Sequence, residues 1–311
     1  LTTLPTPFPA ARYRFDWRVE TPIRLPEYAG STLRGAFGNA LRRTACMTRQ
    51  KDCKPCPLYR SCPFPAVFAP APPAEHSLQA FSQIPAPFVV EPPAWGERDY
   101  APGDTLGFHL VLIGRALSQL PLVVHAWQRA LKHGIGAGDG SASLLRVSLV
   151  GEAAEQTVYD AAEGQIRPHS PGIEPPPGEA ERVHLRIETP LRLQHNGRPI
   201  RPQAITGRDL LVTLMRRVAL VSEFHAAQRL DLDYRALAEA AARVRSETAL
   251  AWQDWTRYSS RQKQEMTLGG VVGEWTLRGE LAPFLPMLYL GQWLHVGKNA
   301  SFGLGRYHLA P

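Results

Sequence analysis

The sequence predicts an α+β protein built from two tandem copies of one small unit, and three observations carry that prediction. Thr21-Pro22-Ile23-Arg24-Leu25 recurs as Thr189-Pro190-Leu191-Arg192-Leu193. Each copy follows a strand-like run, 13–20 and 183–188, and precedes a helix-like run ending in paired arginines, Arg42-Arg43 and Arg216-Arg217. Each half then reaches a glycine-rich loop leading into a short strand, at 134–140 and at 297–305. One order of motifs at a near-constant offset is the signature of a duplicated unit.

In the first half, 13–19 alternates large apolar and polar residues, as a half-buried strand does. Thr32 to Ala45 places Leu33, Phe37, Ala40 and Leu41 on one helical face, while Gly35, Ala36 and Gly38 permit a close approach. The Pro-rich stretch 63–93 reads as extended and loop-like, with Phe88-Val89-Val90 as a short strand. A strand at 106–113, a helix at 117–132 and a strand at 144–150 complete the unit. Strand, helix, strand, strand, helix, strand is the ferredoxin-like (RRM-like) order. Prolines and glycines concentrate in 163–180. That composition sets an N-terminal domain at 1–160, a linker at 161–180 and a C-terminal domain at 181–311. The second half carries helical patterns at 209–229 and 234–252, one helix more than the first. Residues 266–268 and 271–277, around Gly269-Gly270, read as a hairpin. A helix at 281–294, shortened by Pro283 and Pro286, and a strand at 305–309 close the chain.

With 311 residues there is material for two cores. No apolar run reaches the length of a membrane span, and 1–10 lacks the charged head of a secretory signal. A cytoplasmic protein without a membrane partner is expected. The net charge of +7 favours a polyanionic partner. All four cysteines, Cys46, Cys53, Cys56 and Cys62, fall in one insertion at about 46–62. Such clustering indicates metal ligation in a reducing compartment rather than a disulfide framework. Four thiolates suit a structural zinc ion, and an iron–sulfur cluster as the alternative.

The loop from Gly297 to Arg306 carries the richest chemistry. Its glycines let backbone N–H groups approach a phosphate, Lys298 and Arg306 add charge, Asn299 and Ser301 hydrogen-bonding groups, and Phe302 a stacking face. Its alternative reading is a tight turn that packs the last strand. The run 257–263 adds Arg257, Tyr258, Arg261 and Lys263, a mixture suited to phosphate contacts with one stacked base. Arg42 and Arg43 extend the set of candidate nucleic-acid contacts. Transesterification by a ribose 2′-hydroxyl needs a base, a cation on the phosphate and an acid for the leaving oxygen. His295, just before the glycine loop, is the titratable candidate; His225, in an apolar helical segment, reads as structural. No Asp/Glu cluster suggests a two-metal nuclease, so catalysis without a metal is expected.

The segments 255–263, 269–273 and 295–307 resemble the C-terminal domain of CRISPR pre-crRNA-processing endoribonucleases of the repeat-associated mysterious protein (RAMP) superfamily. Leu33-Arg34-Gly35-Ala36-Phe37-Gly38 and the cysteine window resemble one branch of that family. The resemblance implies two tandem ferredoxin-like domains and RNA on a basic face. It implies metal-independent cleavage of CRISPR repeat RNA to a 2′,3′-cyclic phosphate and a 5′-hydroxyl, giving the mature crRNA, with effector subunits as further partners. Many relatives carry a catalytic histidine in or beside the first helix, whereas 28–46 has none and Asn39 stands where one is sought. Tyr28 with Arg34 or Arg43, through positioning and charge, or His295, is left to do the chemistry. The alternative is a non-catalytic RNA-binding subunit of an effector complex.

Overall fold

Alternation along 10–19 makes the first strand of a computed structural model that describes residues 4–73, 84–96, 98–151, 154–259 and 264–310. Two units emerge. One comprises Pro9–Pro171 with Phe224–Ala226, the other Leu1–Phe8, Gly172–Glu223 and Ala227–Pro311.

The first unit runs β1 (Ala10–Val19), β2 (Ile23–Arg24), α1 (Gly30–Ala45), α2 (Pro63–Phe68), β3 (Phe88–Glu91), β4 (Asp99–Tyr100), β5 (Thr105–Ile113), α3 (Leu120–His133), β6 (Ala142–Val150) and β7 (Glu155–Asp160). Among the described residues its main sheet has the order β3-β5-β1-β6-β7, with antiparallel neighbours. With β7 set aside, this is the ferredoxin-like arrangement: β1 sits between β5 and β6, and β3 lies outside β5. Aromatic rings join helices to sheet. Phe15 of β1 stacks on Phe108 of β5 at 5.6 Å, Phe108 meets Trp127 of α3 at 4.6 Å, and Trp127 stacks on Phe37 of α1 at 5.1 Å. The α1 residues on its expected apolar face, Leu33, Phe37, Ala40 and Leu41, are all buried. Gly38 is needed there because a Cβ would sit 2.3 Å from the Phe68 ring of α2. That short helix interrupts the Pro-rich run expected to be loop; prolines at its start cost nothing, since their missing N–H groups lie in the first turn.

The second unit contains β8 (Arg182–Leu191), β9 (Gln194–His195), β10 (Arg198–Pro199), α4 (Gly207–His225), α5 (Tyr234–Arg243), β11 (Arg245–Ser259), β12 (Gln264–Arg278), α6 (Leu285–Leu294) and β13 (Tyr307–Ala310). Its sheet order, β11-β12-β8-β13, repeats that of the first unit with β8 in the place of β1. Two expectations are corrected here. The helix expected over 234–252 stops at Arg243, and 245–252 instead pairs with β12, Trp252 opposite Val271. The alanines concentrate in 236–242, which does form the helix, whereas 245–252 joins a fifteen-residue strand pairing. Nor do Gly269 and Gly270 make a turn; both lie inside β12. A Cβ on Gly270 would come within 2.6 Å of the Leu191 backbone, so glycine lets β8 approach. The stretch 161–180 is tied in by bridges from Tyr159 to Ile166 and from Phe8 to Ile173.

Candidate nucleic-acid interface

The repeated pentapeptide is the ledge on which each glycine loop rests. In the first unit the Arg24 carbonyl accepts the Ala137 N–H at 2.9 Å, and Thr21 Oγ1 accepts the Ser141 N–H at 2.8 Å. In the second, the Arg192 carbonyl accepts the Lys298 N–H at 3.1 Å, and Thr189 Oγ1 accepts the Arg306 N–H at 2.9 Å. Gly136 and Gly297 both have positive φ, 74° and 87°. A Cβ would strike the Arg24 carbonyl oxygen at 2.2 Å in one and the Arg192 carbonyl oxygen at 2.7 Å in the other. These glycines therefore serve close backbone packing. What separates the loops is what they present: Ala137 in the first, the exposed Lys298 in the second.

Around Lys298 the second loop holds Asn299, at φ 64°, and a 3₁₀ turn from Ala300 to Phe302 in which Ser301 and Phe302 are half-buried. Arg306 is engaged within its own unit: it pairs with Glu188 at 3.1 Å and lies 3.2 Å from His308 Nε2. The hydrogen bond from His308, with Arg306 and Arg186 nearby, holds the Glu188 carboxyl below its ordinary range despite burial. His295 is fully buried, with Nδ1 3.3 Å from the Leu304 carbonyl. A general base must reach the proton it takes, and this ring is walled in. His295 occupies the place of Gly134: both have positive φ, and the next residue's N–H closes the loop neck, Ile135 to Gly140 at 2.9 Å and Val296 to Gly305 at 3.1 Å. Arg217, buried with its pKa lowered to about 10 by desolvation, donates to the Leu294 and His295 carbonyls at 2.9 and 3.3 Å. His225 is buried with Nε2 2.7 Å from the Pro85 carbonyl. The side chains of Arg257 and Tyr258, and Arg261 and Lys263 entirely, lie outside the described residues.

In the first unit Tyr28 is buried and stacked on Trp95, ring centroids 4.9 Å apart. Arg34 lies with its guanidinium 4.3 Å from the Phe68 ring centroid and 5.8 Å from that of Phe88. The end of α1 opens into a cleft of about 540 Å³ lined by Asn39, Arg42, Arg43, Arg49, Lys51 and Arg129, among others, with no carboxylate and no histidine. Arg42 supports the wall, donating to the Gln50 and Lys51 carbonyls at 2.6 and 2.5 Å. Arg49, Lys51 and Arg129 were not among the residues the sequence pointed to. The basic run around the first cysteines hinted at two of them; only packing brings Arg129 of α3 beside them.

All four cysteines are free and line one cavity of about 20 Å³, with Thr48 Oγ1 3.3 Å from Cys56 Sγ. Burial pushes the Cys53 thiol up, opposed by Arg42 and reinforced by Cys46, Cys62 and Cys56. Among the described residues no group of three or more His, Cys, Asp or Glu is close enough to hold a metal ion. The four thiols line this cavity without converging as a ligand set.

Two units with antiparallel sheets in the same strand order define the class: a Cas6-like fold. Residues 185–307 match the family model of the CRISPR-associated endoribonuclease Cas6, and residues 8–171 match an N-terminal domain family, AF_1859_N. The Cas6 match covers the C-terminal part of the chain, 185–307, and the N-terminal part carries a domain family of its own. Among solved structures, a Cas6 product complex aligns with TM-score 0.57 at 17% identity, covering 97% of this chain and 99% of that one. Thermus thermophilus Cas6 aligns with TM-score 0.53 at 17% identity and the same coverage. A partial Cas6-RT-Cas1–Cas2 complex aligns at 0.53 and 14%, over 97% of this chain and 46% of the other. At these identities the likeness speaks to the fold alone. No curated protein matches the chain. Among the described residues no helix is long and apolar enough to cross a membrane.

Proposed function

We propose that this chain binds CRISPR repeat RNA and cleaves it by metal-independent transesterification, leaving a 2′,3′-cyclic phosphate and a 5′-hydroxyl. The match of 185–307 to the Cas6 endoribonuclease family, spanning the glycine loop that presents Lys298, carries the reading. In this reading Lys298, Asn299, Ser301 and Phe302 contact RNA in the second unit, with Arg257, Tyr258, Arg261, Lys263 and Arg306 as further contacts, and Arg42 and Arg43 contribute from the first. Alignment of the 2′-hydroxyl for in-line attack, and cations on the phosphate, supply most of the acceleration. Arg34, backed by the Phe68 ring, orients the substrate, and Tyr28, buried against Trp95, acts only through the packing. His295 has no part in the chemistry; its buried ring stabilises the loop. The four thiols hold a structural zinc ion, or an iron–sulfur cluster, that braces the insertion.

One observation favours a second reading. The basic cleft at the end of α1 offers Asn39 but no histidine or carboxylate, and a neutral amide can bind a phosphate oxygen but cannot take a proton. A chain so equipped would hold RNA as an effector subunit without cutting it. Incubation with the repeat RNA of its own locus in EDTA, followed by end-group analysis, decides between them. The processing reading expects one cut with a cyclic phosphate end; tight binding of intact RNA transfers the chain to the holding class.

A further inference from the structure

The cysteine-bearing insertion has a second face. Its first loop folds back over the end of α1, where Arg42 fixes the Gln50 and Lys51 carbonyls. Cys46 and Gln50 line both the thiol cavity and the basic cleft, so the two adjoin. The fold-back brings Arg49 and Lys51 into the same cleft as Arg43 of α1 and Arg129 of α3. Arg49 adopts φ 55°, a left-handed backbone that a residue with a Cβ takes only at a cost. None of Arg43, Arg49, Lys51 and Arg129 has a carboxylate partner among the described residues. Four like charges facing one concave space repel each other, and a polyanion in that space relieves the repulsion. No aromatic ring lines the cleft, so it offers bases nothing to stack on.

We propose that this cleft is a sequence-independent site for the phosphodiester backbone of the RNA, assembled jointly by α1, α3 and the cysteine insertion. The site rests on the reading of the chain as an RNA-processing protein and adds Arg49, Lys51 and Arg129 to it. The fold-back, fixed by Arg42, sets Arg49 and Lys51 of the insertion beside Arg43 and Arg129 of the domain core. Contacts of this kind fix position and register and leave sequence reading to the rest of the protein.

The test is equilibrium binding of the repeat RNA and of an unrelated RNA of equal length, across a salt series. It compares the wild type with the triple variant Arg49→Ala, Lys51→Ala, Arg129→Ala. Three lost phosphate contacts should make the log–log salt slope shallower by about 2, and weaken binding about a hundredfold near 0.1 M salt. Both RNAs should lose the same factor. An unchanged slope in a folded variant overturns the proposal, and so does a loss confined to the repeat RNA, which would mean base reading. Should the triple variant fail to fold, Arg129→Ala alone, on α3, should lower the slope by about 0.7 and the affinity about fivefold at that salt; an unchanged slope there counts equally against the site. Cleavage by the wild type is scored in the same tubes. Wild type that cuts neither RNA removes the processing reading while a slope change still supports the cleft. Wild type that cuts the repeat RNA while the slopes coincide removes the cleft alone.

Discussion

His295 stands where the first copy of the unit has Gly134, and that substitution within one chain says what the position demands. Both residues end a helix with positive φ, so the site selects for backbone conformation, and histidine meets the demand with a buried ring that packs across the loop neck. Replacing it by alanine should therefore cost about 2–3 kcal/mol of stability. It should leave single-turnover cleavage per folded molecule within about twofold of wild type; urea unfolding and a single-turnover assay separate the two, and a collapse in rate without a loss in stability would return His295 to the chemistry. Gly305 is stricter. A Cβ there would lie 1.8 Å from the Val296 carbonyl oxygen, at φ 71°. Gly305→Ala should cost more than about 2 kcal/mol in urea unfolding. The paired arginines also do structural work that residue type alone does not reveal. Arg42 and Arg217 were legible as cations, yet each bonds backbone carbonyls of its own unit.

The glycine loop and its ledge work as one element. Thr189 orients both ends, accepting from Arg306 N–H and donating to the Gly303 carbonyl at 2.8 Å, so that Lys298 projects from a fixed frame. Lys298→Ala should leave that frame intact and make the salt dependence of RNA binding shallower by about 0.7; identical salt curves would remove Lys298 from the interface. The same strands carry a pH dependence. Glu188 has its folded-state pKa depressed, first by the His308 hydrogen bond, with Arg306 and Arg186 adding to it. Its contribution to stability is complete above the ordinary carboxylate pKa and is lost as pH falls through the depressed value. Glu188→Gln should flatten that acid limb of the stability curve relative to wild type, and coincident acid limbs would deny the pairing. The long β11–β12 pair carries a different lesson: the end of a run that looked helical became strand because its hydrogen bonds are satisfied by the next strand of the hairpin.

At the scale of the molecule, the insertion tests whether four cysteines brace a surface. Cys56→Ser should lower the melting temperature and the metal content measured by elemental analysis more than it lowers the cleavage rate; a stable variant without metal change would sink the structural-metal proposal. The duplication was legible in sequence alone, because a near-identical pentapeptide and a glycine, Gly136 or Gly297, meet the same backbone collision in each unit, and such collisions are local and leave a readable residue type. Also legible there were the basic balance, the apolar face of α1 and the confinement of the cysteines to one window. Only the tertiary structure decided that His295 is enclosed, that Gly269 and Gly270 lie inside a strand rather than at its end, and that Arg129 stands beside Arg49. Those outcomes depend on which surfaces meet across long stretches of chain. Burial and partnership are properties of the meeting, whereas φ, charge and periodicity belong to the residues that meet.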